Sequence, residues 1–364
     1  MVVLLIALLL LTLILWFYLF PVRFVSGAKR TDTLLEPPEL FLYSYVLHIH
    51  TQFSYDSLGK PEDVIRARDN LGIDYAIVTD HDNDSIKNFA DSRLIAGKEI
   101  KLNNEKGLVG DLLDVGELKV IAHNFREKYR WRLERPHDYL LELIDLRDAL
   151  LENKLKLTVF LIAGLVLYPF MGKRVVDNFR KLIDIELYAR KYFEQGWQHK
   201  VVGGLDHHVK LYAREVKTRL LIPSYELSFN LMRNYLFTDK RVSSKTELLE
   251  AIKRGQNVIS FCGKPCLVWK EQNSIKVYSP FRNTYIVVLS SGGHEGKFVG
   301  PNCVIDAKEG IYLILGYNYS FRVWRLLFGV KPAFVSCVLE VKNAREGEAF
   351  TRLGKGEDTT KGSK

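Results

Sequence analysis

Residues 47–82 read LHIHTQFSYDSLGKPEDVIRARDNLGIDYAIVTDHD, which sets His48, His50, Asp56 and His81, with Asp80 beside the last, at the ends of two short apolar strands. On an extended strand the imidazoles of His48-Ile49-His50 point to one side and can grip one ion, while Ile49 faces the opposite layer. Tyr75-Ala76-Ile77-Val78 is an unbroken apolar run of the buried parallel kind, and it empties into Thr79-Asp80-His81-Asp82. Barrel-type α/β enzymes keep their chemistry at that end of their strands. Between the two strands, Lys60-Pro61-Glu62-Asp63 opens a helix. Proline sits near its first turn, acids follow, and Val64, Ile65 and Ala67 give it a buried side. The unit is strand, helix, strand.

From about Leu47 to about Ser260 the chain resembles the PHP (polymerase and histidinol phosphatase) family of metal-dependent phosphoesterases. Six elements carry the resemblance, in order: His48-Ile49-His50, Ser54-Tyr55-Asp56, Thr79-Asp80-His81, Gly97-Lys98-Glu99, Ala122-His123-Asn124 and Asp206-His207-His208. The resemblance implies a distorted (β/α)7 barrel. It also implies that His48, His50, Glu99 and Asp206 hold one ion, that Asp56, His81 and His208 hold another, and that Glu99 bridges to a third beside His123. Two to three divalent ions, manganese, zinc or iron, suit such imidazole and carboxylate donors. The chain departs from the family pattern twice. The family's further His after the Glu finds Gly107-Leu108-Val109 as its nearest counterpart, and Asn124 stands where proline normally follows the Ala-His pair.

Clustered cations of this kind lower the pKa of a bridging water, hold non-bridging phosphate oxygens and offset charge on the leaving oxygen. A metal-bound hydroxide is then the nucleophile, and no nucleophilic side chain is required. Arg126, shortly after His123, reads either as a phosphate ligand with bidentate donors or as a solvated side chain. A lone His at a strand end is more often structural, so His123 by itself is ambiguous, whereas His48 and His50 in company with His81, Asp206 and His208 argue for metal. His207 is expected to point away from the cluster. His137, His199 and His294 fit no motif and read as surface residues. Cys262, Cys266, Cys303 and Cys337 all follow the last motif, and Cys262-Gly-Lys-Pro-Cys266 has the wrong spacing for a redox or zinc pair, so buried thiols are expected.

Residues 2–20 contain no charge, close to the ~20 residues that a spanning helix needs. A transmembrane helix over residues 1–22 is favoured over a cleaved signal, because no basic residue precedes the run. Arg23, Lys29 and Arg30 follow it, which places the rest of a single-pass protein in the cytoplasm. A second apolar stretch, Leu157 to Met171, interrupts the enzyme between His123 and Asp206 as part of an insertion at about 140–180. A single crossing there would separate those two residues, so the stretch reads as a core helix, a re-entrant hairpin or a segment lying on lipid between Lys154, Lys156, Lys173 and Arg174.

Leu182 to Tyr188 is expected to form a buried strand, with Glu186 and Tyr188 at the pocket mouth. Val201 to Leu205 forms the strand that delivers Asp206 and His208, and a helix follows near Lys245 to Arg254, capped by Ser243 or Ser244 with Glu247. From Ser260 the texture becomes β-rich with Gly, Ser and Asn turns, which suggests a small sandwich. The sequence divides into a linker at 23–40, a PHP domain at 41–260, a β-rich domain at 261–343 and a disordered tail at 344–364. The net charge of +9 lacks any nucleic-acid fold signature, so anionic lipid is the simpler partner. A membrane-anchored phosphoesterase acting on a phosphate mono- or diester is the expectation. The alternatives are a metal-poor binding or scaffold protein, and a hydrolase of other esters on the same centre.

Overall fold

Seven strands follow one another around the metal-ligand motifs: β1 (Phe41–Leu47), β2 (Tyr75–His81), β3 (Leu94–Asn104), β4 (Gly107–Val115), β5 (Leu118–Ala122), β6 (Leu140–Asp145) and β7 (Val201–Gly204). The computed structural model describes residues 2–342 apart from 20, 32, 215–218, 272, 294 and 295, so the expected tail at 344–364 and His294 lie outside it. The chain is mixed α/β with one large mixed sheet. Neighbouring strands pair in parallel except around β4, which is antiparallel to both β3 and β5.

The ring closes through backbone just beyond β1 and β7. Leu205 N–H donates to Leu47 O at 2.9 Å, and His50 N–H donates to His207 O at 3.0 Å. An isolated parallel bridge joins Ile49 to His207. Lower down, the free edge of β7 meets a side chain instead: Asn234 accepts from Gly203 N–H and donates to Gly203 O, each at 2.8 Å. An unpaired buried peptide group is costly, and the Asn234 amide satisfies both edges of that one.

Side-chain alternation then sorts the interior. Tyr45, Leu47, Ile77, Ile95, Leu113, Val120, Leu140 and Val202 form one inner core, sealed at the N-terminal end by Leu248, Ala251 and Ile252 of α6 (Lys245–Arg254). Two residues further along, the same inward rows carry Thr79, Glu142 and Gly204, and four residues beyond Ile95 stands Glu99. The interior therefore changes from apolar to ionisable toward the C-terminal ends of the parallel strands. Gly204 is required there, since a Cβ would sit 1.6 Å from Glu142 Oε1.

The C-terminal strands continue the same sheet. β1 pairs on its other edge with β8 (Arg233–Thr238), and β9 (Asn257–Ser260), β12 (Lys331–Val335), β11 (Gly310–Asn318) and β10 (Thr284–Ser290) follow in antiparallel order. A separate three-stranded sheet, Leu267–Glu271, Ser274–Tyr278 and Asn302–Asp306, shares a second core with it, which includes Ile275, Val277, Ile286, Val288, Ile314 and Phe334. β8 serves both cores: Leu236 enters the barrel, while Tyr235 and Phe237 enter the second.

Helix α2 (Pro61–Asn70) lies where the sequence puts it, between β1 and β2. At the start of α6, Ser244 accepts from Glu247 N–H at 3.1 Å, and Ser243 donates to the Glu247 carboxylate. The expected strand at Leu182 to Tyr188 is not formed. Asp184 accepts from Leu187 N–H and caps a helix, α5 (Ile185–Glu194), whose Ile185, Tyr188, Ala189 and Tyr192 are buried. Those positions, at i, i+3, i+4 and i+7, follow the helical period, and the window read for the strand was too short to separate the two.

Helix α1 (Val2–Leu19) occupies the N-terminal apolar run. The second apolar stretch is helix α4 (Lys154–Met171), reached from α3 (Leu146–Leu151). It is not a core helix. Phe160 and Gly164 are buried against Phe179 and Val175, whereas Leu155, Leu161, Ile162, Leu165, Val166 and Phe170 are exposed.

Candidate metal centre

The site is assembled from residues that leave the parallel strands at their C-terminal ends. β1 stops at Leu47, so His48 and His50 are not on a regular strand as the sequence suggests. His48 turns at φ +64°, and His123 after β5 and Asp206 after β7 also have positive φ, +51° and +42°. Such backbone costs on the order of 1–3 kcal/mol per residue and persists where surrounding contacts over-determine it. Here the turns fold three donors back over the mouth of one barrel.

His48, His50, Glu99, His123, Asp206 and His208 are all buried. Glu99 Oε2 lies 3.2 Å from His50 Nε2, 3.5 Å from His48 Nε2 and 3.0 Å from His81 Nδ1, and its Oε1 lies 3.3 Å from His123 Nε2. Asp206 Oδ1 lies 3.2 Å from His208 Nδ1, 3.5 Å from His50 Nε2 and 3.8 Å from His48 Nε2. Asp56 Oδ1 is 3.0 Å from His208 Nε2 and 3.5 Å from His81 Nε2. All eight expected metal residues therefore meet, with Glu99 in the middle.

The outer contacts of the histidines decide which nitrogen faces inward. His208 Nδ1 reaches the Asp206 carbonyl at 3.0 Å, and a carbonyl only accepts, so Nδ1 carries the proton. His50 Nδ1 meets Ser54 Oγ at 3.0 Å, and that hydroxyl gives its own proton to Asp80 Oδ1. His48 Nδ1 is held by Glu142 Oε1 at 2.7 Å, and His123 Nδ1 by Asp148 Oδ2 at 3.1 Å. All four rings thus turn Nε2 toward the centre. His48 Nε2, His50 Nε2, His208 Nε2, Asp56 Oδ1 and Glu99 Oε2 are buried without a hydrogen-bond partner. Donors about 2.0–2.2 Å from an ion stand roughly 3.0–3.5 Å apart along its coordination edges, so the spacing and donor chemistry fit divalent cations.

Electrostatics agree. Burial opposes charge on His48, but Glu142 and Glu99 outweigh it and raise its pKa well above the ordinary value. His123 is raised against burial in the same way, by Asp145, Asp148 and Glu99. A proton on each ring stands in for a cation beside the carboxylates. Burial lowers His50 to about 3, which keeps it neutral and able to ligate.

Several functional groups escaped the sequence reading. Glu142 and Asp145 close β6, and Arg147 and Asp148 open α3. Arg147 donates to Asp206 Oδ2 at 2.6 Å, and Arg126 donates to Asp148 Oδ1 at 2.8 Å. Asp111, on β4, is fully buried with both carboxylate oxygens unpaired. Burial and the neighbouring Glu99 push its pKa up to about 8. It supplies a donor on the strand where Leu108, partly exposed and unable to ligate, stands in the sequence pattern. The signal was an acid inside an otherwise apolar strand, Val109-Gly110-Asp111-Leu112-Leu113. Asp80 does not enter the cluster: it accepts from Thr51 N–H, Thr51 Oγ1 and Ser54 Oγ and holds that loop.

A cleft of about 90 Å³ opens over the centre, lined by Asp56, His81, Glu99, Asp111, His123 and Asp206, with Lys101, Arg126 and Arg147 as its cations. His207 points away, as expected, to Ser228 Oγ at 2.6 Å. His137 is exposed, but His199 is buried and accepted by Pro136 O at 3.0 Å, a correction to its surface reading. Glu186 is drawn from the pocket mouth to Arg23 and Tyr317, while Tyr188 lines a small cavity beside His123 and Asp148. The four cysteines are free, three of them buried.

No family model matches the chain, and no curated protein matches it. Among solved structures the chain is similar to a two-domain protein containing a predicted PHP-like metal-dependent phosphoesterase from Bacteroides vulgatus ATCC 8482, at 11% identity and a TM-score of 0.35, over 86% of this chain and 100% of that one.

Proposed function

We propose that the chain is a metal-dependent phosphoesterase of PHP type, acting on a phosphate mono- or diester. One observation carries the reading: buried Nε2 atoms and carboxylate oxygens crowd together without hydrogen-bond partners, under a cleft whose remaining charges are Lys101, Arg126 and Arg147. Carboxylates and ring nitrogens packed this closely suit bound cations in place of ring protons, and cations around an opening suit an anionic substrate. In this reading His48, His50, Asp56, His81, Glu99, His123, Asp206 and His208 are the metal residues, with Asp111 added beside Glu99. Two or three divalent ions held there supply an activated water and Lewis acidity toward phosphoryl oxygens.

The chain's own residues orient the reaction. Glu142 fixes His48 and also accepts His123 N–H at 3.0 Å, so one carboxylate sets two rings. Arg126 and Arg147, held at the cleft by Asp148 and Asp206, are the residues that receive the phosphate. Residues 2–20 tether the protein to a bilayer, with the catalytic part on the cytoplasmic side. The β-rich part after about residue 260 forms a second unit, joined to the catalytic one through the shared sheet.

Asp206→Asn and His208→Ala test the assignment. The wild type is expected to retain two or three manganese, zinc or iron ions per chain after dialysis and to hydrolyse an aryl phosphate ester, and each variant to lose both with its circular dichroism unchanged. Full hydrolysis by either variant would refute the metal assignment. A folded wild-type chain that takes up no metal would leave the scaffold reading.

A further inference from the structure

Three segments of this chain are apolar, basic and free of acids: residues 1–31, 153–176 and 310–339. Far apart in sequence, they come together through a single stretch. Gly329 N–H donates to Pro21 O at 3.0 Å, at the foot of α1. Two residues later Lys331 pairs with Asp177, and Pro332 O accepts from Arg180 Nη1 at 3.1 Å, on the segment that returns from α4. Strand pairing joins Val22–Phe24 to Leu326–Phe328, the second arm of a hairpin that begins at Phe321–Val323.

The tip of that hairpin contradicts ordinary turn chemistry. Trp324 and Arg325 form its two-residue loop, and Trp324 takes φ +52°, where glycine or asparagine is favoured. A bulky ring at such a position does nothing for the turn. It is 71% exposed, with Phe24, Phe321 and Val323 exposed around it and the Phe24 ring 6.3 Å away. Exposed Arg322 and Arg325 flank it. Helix α4 shows the same composition on a larger scale: about 27 Å long at ~1.5 Å per residue, apolar nearly all round, with exposed Lys154, Lys156 and Arg174 near its ends.

We infer that the Trp324 hairpin and α4 form one lipid-facing surface at the foot of α1, seated in the headgroup layer of an anionic bilayer. Aromatic rings with arginines beside them suit that layer, and exposed Arg322, Arg325 and Arg174 complement its negative charge. α4 lies along the layer rather than crossing it. Asp148 before it and Asp206 after it both belong to the metal centre, and Val175 and Phe179 fold back onto Gly164 and Phe160. The inference rests on the tethered reading above and adds to it a second and a third point of membrane contact.

The test uses the full chain carrying Trp16→Phe, bound to vesicles of phosphatidylcholine and phosphatidylglycerol with or without brominated acyl chains. Brominated lipid is expected to quench part of the tryptophan emission, and Trp324→Phe in that background is expected to remove the quenched part. A vesicle-bound chain with no bromolipid quenching, in which aqueous iodide reaches Trp324 freely, would overturn the inference and leave this face to a protein partner. A chain that stays in the aqueous fraction on flotation would overturn the tether as well. Metal content, measured on the same samples, keeps either failure distinct from failure of the phosphoesterase reading.

Discussion

His48 Nδ1 donates to Glu142 Oε1 at 2.7 Å, in a place where neither residue meets water. The contact makes a β6 side chain responsible for the orientation of a ring that follows β1, across the interior of the barrel. Through its other oxygen Glu142 also holds His123 N–H, at a backbone turn with positive φ.

Glu142→Gln should therefore weaken metal binding without removing any inward-facing donor. Outer partners of metal-binding histidines are worth about 10–100-fold in affinity or activity. Competition with a chromophoric chelator measures it, and unchanged affinity would show that Glu142 does not orient the rings.

Asp111 gives the metal-free protein a pH dependence of definite sign. Its folded pKa is raised to about 8 from an ordinary value of 3.8, so the folded state binds the proton more tightly than the unfolded chain. The contribution of Asp111 to stability must then fall as pH rises from about 4 to about 8. Thermal melts of metal-free wild type and Asp111→Asn across that range should show a shallower decline in the variant. Parallel curves would remove Asp111 from the electrostatics of the site.

Chelation should lower the melting temperature, and re-addition of manganese or zinc should restore it. An ion at 100 times its dissociation constant stabilises the folded state by about 2.7 kcal/mol. The shift is expected to disappear in His208→Ala combined with Asp206→Asn. A shift of equal size in that variant would place the ion elsewhere.

Arg126 is half exposed and anchored to Asp148, which also holds His123. Arg126→Ala should raise KM for a phosphoester by roughly 10–100-fold, the worth of about 1.5–3 kcal/mol for a charged hydrogen bond. Bound metal per chain should stay at the wild-type value. A fall in kcat alone would make Arg126 a support for His123 rather than a phosphate ligand.

The sequence by itself determined the local pieces of this protein. Apolar runs marked β1, β2 and β7, Lys60-Pro61-Glu62-Asp63 marked α2, Ser244 and Glu247 marked α6, and all eight expected donors lie at one centre. These are short-range patterns, and side-chain period and capping chemistry act within a few residues. The tertiary structure alone decided which distant side chains meet. Asp111, Glu142, Arg147 and Asp148 bear on the site only because barrel closure brings β4, β6 and α3 to the ends of β1 and β7. The strand expected at Leu182 to Tyr188 became α5 because the buried positions Ile185, Tyr188 and Tyr192 extend past that window. The stretch Gly329 to Pro332 meets both Pro21, after α1, and Asp177 and Arg180, after α4, although Lys331 and Asp177 lie more than 150 residues apart. Long-range proximity is set by packing and by the satisfaction of buried polar groups, and linear spacing does not encode it.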